Sequence, residues 1–314
     1  MRRLKSLFRP GWLLPLIVLC LFSATASRTI KGDEGVAKAS ISEQNDGLVR
    51  LDNGQISVGL KRTSGGAIAW VSQSGTQKNL VNAFDRGRLI QQSYYGDEDG
   101  SLWNGKPWRW NPVQGGDWRG HPAEVLEIRT TATTAYVKSL PKHWASGEDL
   151  AKTSMEQWIT LEGPLAKVRY RFTQSAGEDH AQRHQELPAV FVAPEFSTLV
   201  VYTGDKPWSG GELDRSQPGW PNETRKMTEH WAAYVDDSDF GLGVYVPVAD
   251  TLTCYRYGKD AVAKDACSYF APLGNFAIMS DFRWEYEVVV SVGSVAELRG
   301  RFKELAASVV TEDK

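Results

Sequence analysis

Cysteine is scarce, with three in 314 residues, at positions 20, 254 and 267, and histidine numbers only five. No C-x-x-C or H-x-H spacing occurs, so nothing points to a zinc site, and no cofactor is expected. Internal repeats, low-complexity tracts and Pro- or Ser-rich linkers are also missing. The chain lacks the alternating strand and helix patterns of βαβ units, which argues against a nucleotide-binding α/β fold. Its longest apolar run, Trp12 to Phe22, is short of the about 20 residues a membrane-spanning helix needs.

That run belongs to a leader. Arg2, Arg3, Lys5 and Arg9 precede it, and Ala24 and Ala26 follow with the spacing that signal peptidase accepts, so residues 1–26 are read as a secretory signal. Cys20 follows Leu19, where a lipoprotein needs a small residue. The expected location is secreted or periplasmic. Removing the four basic residues leaves 32 basic against 38 acidic, about −6, which gives no electrostatic reason for nucleic acid or anionic lipid as partner. Cys254 and Cys267 remain, either as a disulfide or as two buried thiols.

After a polar, flexible lead at 27–45, residues 46–314 read as a single domain of short alternating runs. QISVGLKRT, AYVKSL and AKVRYRF show period two; in the last, Val168, Tyr170 and Phe172 share one face and Lys167, Arg169 and Arg171 the other. WITLEGPLAKVRYRF and WAAYVDDSDFGLGVYV read as hairpins about tight polar tips. The expected fold is therefore all-β, an antiparallel sandwich or barrel. One helix closes the chain: Ser294 and Glu297 make a capping box, Val295, Leu298, Phe302, Leu305 and Val309 form an apolar stripe, and Arg299 and Arg301 lie on a solvated face.

Two segments break the strand rhythm. Residues 96–122 hold Trp103, Trp108, Trp110, Trp118 and His121; residues 202–222 hold Trp208 and Trp220. Aromatic rings stack on the C–H faces of sugars, while amides and charges bind the hydroxyls. The expected sugar-binding set is Arg88, Gln91, Gln92, Tyr95, Trp103, Trp108, Trp110, Asn111, Gln114, Trp208 and His230. Proton-transfer candidates are His121, His184 with Glu186, Glu229 beside His230, Asp117 and Tyr94. Alternation places His184 and Glu186 on one face of their strand. Arg169 and Arg171 suit a uronate carboxylate or a solvent-facing row. The acidic run Asp97-Glu98-Asp99-Gly100 lacks the spaced ligands of a calcium loop, and the sequon Asn222-Glu223-Thr224 matters only in a eukaryotic secretory pathway.

The stretch NGQISVGLKRTSGGAIAWVSQSGTQKNLVNAFDRGRLIQQSYYG resembles the opening strands of the galactose-mutarotase-like superfamily, which implies a large antiparallel β-supersandwich. RGRLIQQSYY followed by WNPVQGGD is similar to a pairing in secreted bacterial proteins. Asp85-Arg86-Gly87-Arg88 and His121-Pro122 depart from the Asn-Arg and H-x-Y-F-N-L patterns of true aldose 1-epimerases, so their catalytic residues are not carried over. The expected function is a secreted carbohydrate-active protein. As a glycoside hydrolase it would draw on Asp117, Glu186 and Glu229; as a polysaccharide lyase, on Tyr94 or Tyr95 with His121 or His184. A non-catalytic carbohydrate-binding module and a mutarotase-like epimerase are the alternatives.

Overall fold

The computed structural model describes residues 42–43, 47–258 and 263–312; the leader and, save for Ser42–Glu43, the lead at 27–45 lie outside them. The strands run β1 (Ser42–Glu43), β2 (Leu48–Asp52), β3 (Ile56–Lys61), β4 (Ala67–Gln73), β5 (Ile90–Ser93), β6 (Glu98–Trp103), β7 (Lys106–Arg109) and β8 (Pro112–Val113). Then come β9 (Glu124–Thr130), β10 (Thr134–Leu140), β11 (Lys142–His143), β12 (Thr153–Glu162), β13 (Leu165–Gln174), β14 (His180–Val192) and β15 (Thr198–Val201). Last are β16 (Asp214–Ser216), β17 (Glu223–Lys226), β18 (Trp231–Val235), β19 (Phe240–Tyr245), β20 (Thr251–Tyr257), β21 (Cys267–Ile278), β22 (Phe282–Ser294) and helix α1 (Val295–Glu312).

One sheet of eleven strands has the order β1-β2-β3-β4-β5-β14-β21-β20-β17, with β8 attached to β5 and β11 to β8. A second sheet of nine strands has the order β16-β15-β18-β19-β22-β13-β12-β10-β9. The two pack face to face over one large apolar core. Alternation decides which residues enter it: Val168, Tyr170 and Phe172 of β13 are buried and meet Leu187, Val190 and Val192 of β14 in the same cluster.

Both hairpins form. In β12–β13, Glu162 pairs with Leu165 across a two-residue tip where Gly163 has φ of +53°. In β18–β19 the Asp236 carboxylate accepts from the Ser238 N–H and hydroxyl at 2.9 and 2.6 Å, closing the turn. The first irregular segment is more ordered than its composition suggests, folding into the hairpin β6–β7 and the short β8. Within the second lies β16.

Helix α1 starts at the expected box: the Ser294 N–H donates to Glu297 Oε2 at 2.8 Å. Val295, Leu298 and Phe302 are buried against Trp231 and Tyr245 on the outer face of the nine-stranded sheet, with Leu305 partly buried beside them; the Val309 side chain lies outside the described set. Arg299 is not on a solvated face. Its guanidinium grips the fully buried Glu229 carboxylate at 2.7 and 3.0 Å and donates to Gly211 O at 2.7 Å. A buried carboxylate needs such a partner, and the helix supplies it. Arg301 likewise turns inward to Val292 O at 2.8 Å.

The two cysteines are free thiols, both buried. They lie on adjacent strands in different registers, Cys254 opposite Phe270 and Cys267 opposite Tyr257, so the disulfide alternative is corrected to two thiols. Burial pushes both up to about 11.

Removing the cation from beneath α1 leaves the buried Glu229 carboxylate with neutral donors only. Arg299→Ala is therefore expected to cost about 3–5 kcal/mol, read as a fall in Tm on the order of 10 °C. An unchanged Tm in a calorimetric scan would show that the pair does not hold the helix to the sheet.

Candidate functional site

Strand β14 carries the site because its two neighbours fix its register. Glu186 stands opposite Ser93 of β5 on one side and Leu273 of β21 on the other. The next residue, Leu187, enters the core, so Glu186 is left toward the outer face. There it receives the hydroxyls of Tyr95, at 3.0 Å, and of Tyr269, both on Oε1. Gln185 locks Tyr95 in place, accepting its N–H at 2.7 Å and donating to its carbonyl at 3.0 Å.

Glu186 is 8% exposed. Burial raises its carboxyl above the ordinary glutamate value, against the opposing pull of the hydroxyls of Tyr269, Ser93 and Tyr95. Burial, then the charge of Glu186, holds the Tyr95 and Tyr269 phenols well above their usual range, so both remain donors.

Over this carboxyl opens a cavity of about 610 Å³. Trp108 and Arg109 reach it from the hairpin β6–β7, and Gln182, Arg183 and His184 from β14. Asn222, Thr224, Thr253 and Asn275 complete a wall of amides and hydroxyls. Arg183 is held by Asp97, whose carboxyl the Ala181 N–H and the Arg183 guanidinium keep below the usual carboxylate range. Among the described residues Arg109 has no carboxylate partner. The lining thus combines two aromatic rings, a leucine, a histidine, neutral amides and hydroxyls, two arginines and a single carboxyl group.

Of the residues expected from sequence, Tyr95, Trp108, His184 and Glu186 meet in this cavity. The others are placed elsewhere, each for a physical reason. Tyr94 is fully buried against Phe172, its hydroxyl donating to Gln92 Oε1 at 3.0 Å. Gln91, Gln92, Asn111 and Gln114 are buried amides that satisfy backbone groups. Gln91 bridges Arg86 O, Gly87 O and the Gly115 N–H, and Gln92 donates to Glu156 O. Asn111 donates to Tyr94 O, and Gln114 accepts from the Gln92 N–H. The paired glycines serve the same close approach: a Cβ on Gly115 would sit 2.2 Å from Arg86 O, and one on Gly116 2.2 Å from His121 O.

Asp117 is buried and closes its own turn, accepting the His121 N–H at 2.7 Å and meeting His121 Nδ1 at 2.7 Å, while the imidazole faces solvent outside the cavity. Trp110 stacks on His180 at 4.3 Å, and Trp103 packs on Trp108 and Trp144. Trp208 joins the cluster beneath α1, its backbone N–H donating to Glu229 at 2.8 Å. Glu229 has Arg299 and the Trp231 indole as further donors, which makes it part of the helix attachment on the nine-stranded sheet. His230 binds Ala249 O at 2.8 Å. Arg88 lies against Phe84 and Asp85. Arg169 and Arg171 stack on Trp158 and pair with Glu285, Arg171 also with Glu156, so both guanidiniums already have carboxylate partners, on the sheet opposite the cavity. Tyr269, Arg109, Arg183 and Asn275 were not anticipated; they come from strands whose neighbours only the tertiary pairing reveals.

The fold of two packed antiparallel sheets is similar to that of galactose mutarotase-like β-sandwiches. The resemblance read from the opening strands holds for the fold as a whole. A galactose mutarotase-like protein from Lactobacillus casei ATCC 334 superposes with a TM-score of 0.52 at 11% identity, covering 79% of this chain and 100% of that one. Another from Clostridium acetobutylicum gives 0.50 at 9% identity, covering 79% and 95%. No protein-family model and no curated protein matches the sequence. At such identities the likeness establishes architecture, not activity.

Because the folded Glu186 carboxyl titrates above its unfolded value, the native state binds the extra proton between the two. Stability conferred by the protonated acid is present below the ordinary glutamate value and is lost as pH rises through the raised one. The Glu186→Gln protein, which carries no such charge, should match wild type in acid and exceed its Tm above that interval. A Tm difference independent of pH would contradict the assignment.

Proposed function

We propose that this protein binds a carbohydrate in the cavity over Glu186 and that Glu186 exchanges a proton with it. The observation that carries this reading is the buried carboxyl, held by two tyrosine hydroxyls, in the lining of a cavity that rings and amides also line. Trp108 offers a face for sugar C–H groups, and Asn222, Asn275, Gln182 and the threonines offer partners for hydroxyls.

The form of the chemistry follows from the count of acids. Two-carboxylate hydrolysis needs a second acid across the bond, and among the described lining residues Glu186 is the one carboxyl. The set favours proton transfer between a raised-pKa acid and His184, two residues away on the same strand. With Oε1 engaged by two donors, the exchanging proton belongs on Oε2. Ring opening at an anomeric centre fits: Glu186 takes the proton of the anomeric hydroxyl as the bond from C1 to the ring oxygen breaks and His184 protonates that oxygen; rotation of the aldehyde about C1–C2 and reclosure, with both proton transfers reversed, give the other anomer. The description of the structural neighbours as galactose mutarotase-like supports the same class. Elimination from a uronate is the second reading, favoured by Arg109 in the wall, which has no carboxylate partner among the described residues.

A panel of neutral and uronate sugars, followed by polarimetry, absorbance of unsaturated uronates and release of reducing ends, separates the reactions. Glu186→Gln is expected to lower turnover by about 10²-fold or more while binding, measured by calorimetry, changes little. Full turnover by that variant contradicts the role of Glu186. Binding without turnover by wild type leaves a carbohydrate-binding module.

A further inference from the structure

The outer face of the eleven-stranded sheet continues past the cavity as a path of aromatic rings. Tyr269, one of the two donors to Glu186, lies 4.5 Å from Tyr255 between centroids, and Tyr255 lies 4.8 Å from Trp220. Trp220 meets Tyr257 edge-on at 5.7 Å. The path ends in water: Trp220 is 56% exposed and Tyr257 41%. An indole left more than half in solvent gains little from its own burial, yet two ring contacts fix its tilt.

Polar groups flank these rings. The Arg88 guanidinium lies 6.0 Å from the Tyr257 ring and is steadied by Asp85 at 3.3 Å. Asn222, two residues beyond Trp220, lines the cavity and donates to Thr253 Oγ1 at 3.1 Å. Rings interleaved with an amide and a fixed ion pair suit a sugar better than a protein surface, which would call for a larger and more continuous apolar patch.

We propose that Trp220 and Tyr257 form a second sugar subsite. It holds one residue of a glycan whose neighbouring portion occupies the cavity over Glu186, so the ligand is an oligo- or polysaccharide rather than a free monosaccharide. This rests on the carbohydrate reading of the cavity and specifies its substrate class. The continuity of the ring path with Tyr269, and of Asn222 with both regions, argues for one ligand spanning the two.

Calorimetric titration of the full chain with glucose and cellotetraose, mannose and mannotetraose, and galacturonate and tetragalacturonate tests it. At least one tetrasaccharide should bind wild type about tenfold tighter than its monomer, equivalent to about 1.4 kcal/mol. Trp220→Ala and, independently, Tyr257→Ala should each remove most of that gain and leave the monosaccharide affinity unchanged. A monosaccharide that binds with no gain for its tetramer overturns the subsite and leaves the cavity reading standing. The subsite is also overturned if both variants retain the gain, or lose affinity equally for both sugars. No binding by any of the six sugars overturns both readings.

Discussion

The register of β14 between β5 and β21 is the constraint on which the site depends. A strand has two faces, and a shift of one residue exchanges them. In the observed register Leu187, Val190 and Val192 enter the core, while Glu186 stands beneath the hydroxyls of Tyr95 and Tyr269. A slip of one residue would bury the carboxylate among apolar side chains and expose leucine. The apolar core therefore holds the acid in place, although it makes no chemical contribution of its own.

Several of the polar and charged groups that resemble site residues in sequence are engaged elsewhere among the described residues. Amides that resemble sugar ligands tie down the irregular segment before β9, and Glu229 binds the terminal helix through Arg299. On the outer face of the nine-stranded sheet, the arginines of β13 lie on Trp158 and between glutamates, a self-neutralised lattice. Glu186 differs in that its partners are neutral phenols, which stabilise the anion without cancelling it and leave the acid free to titrate.

Much of the fold was legible because its determinants are local. Period-two runs, two hairpin tips and the Ser294–Glu297 box each need only neighbours in sequence. The pairing of His184 with Glu186 on one face was legible for the same reason. What was not local was not legible: Tyr269 lies 83 residues from Glu186, and its hydroxyl finds the carboxylate only through strand pairing. Composition misled for a related reason. Gln91, Gln92, Asn111 and Gln114 have the chemistry that recognises a sugar hydroxyl, and the same chemistry satisfies a buried carbonyl or N–H. The tryptophans of the irregular segments divide likewise between core packing, as for Trp208, and cavity wall, as for Trp108.

A structure of the protein with a bound saccharide tests the central claim most directly. A sugar ring is expected in the cavity, with a hydroxyl or ring oxygen within hydrogen-bond distance of Glu186 Oε2. A saccharide bound instead over Trp158, Arg169 and Arg171 on the opposite sheet, with the Glu186 cavity empty, would contradict it.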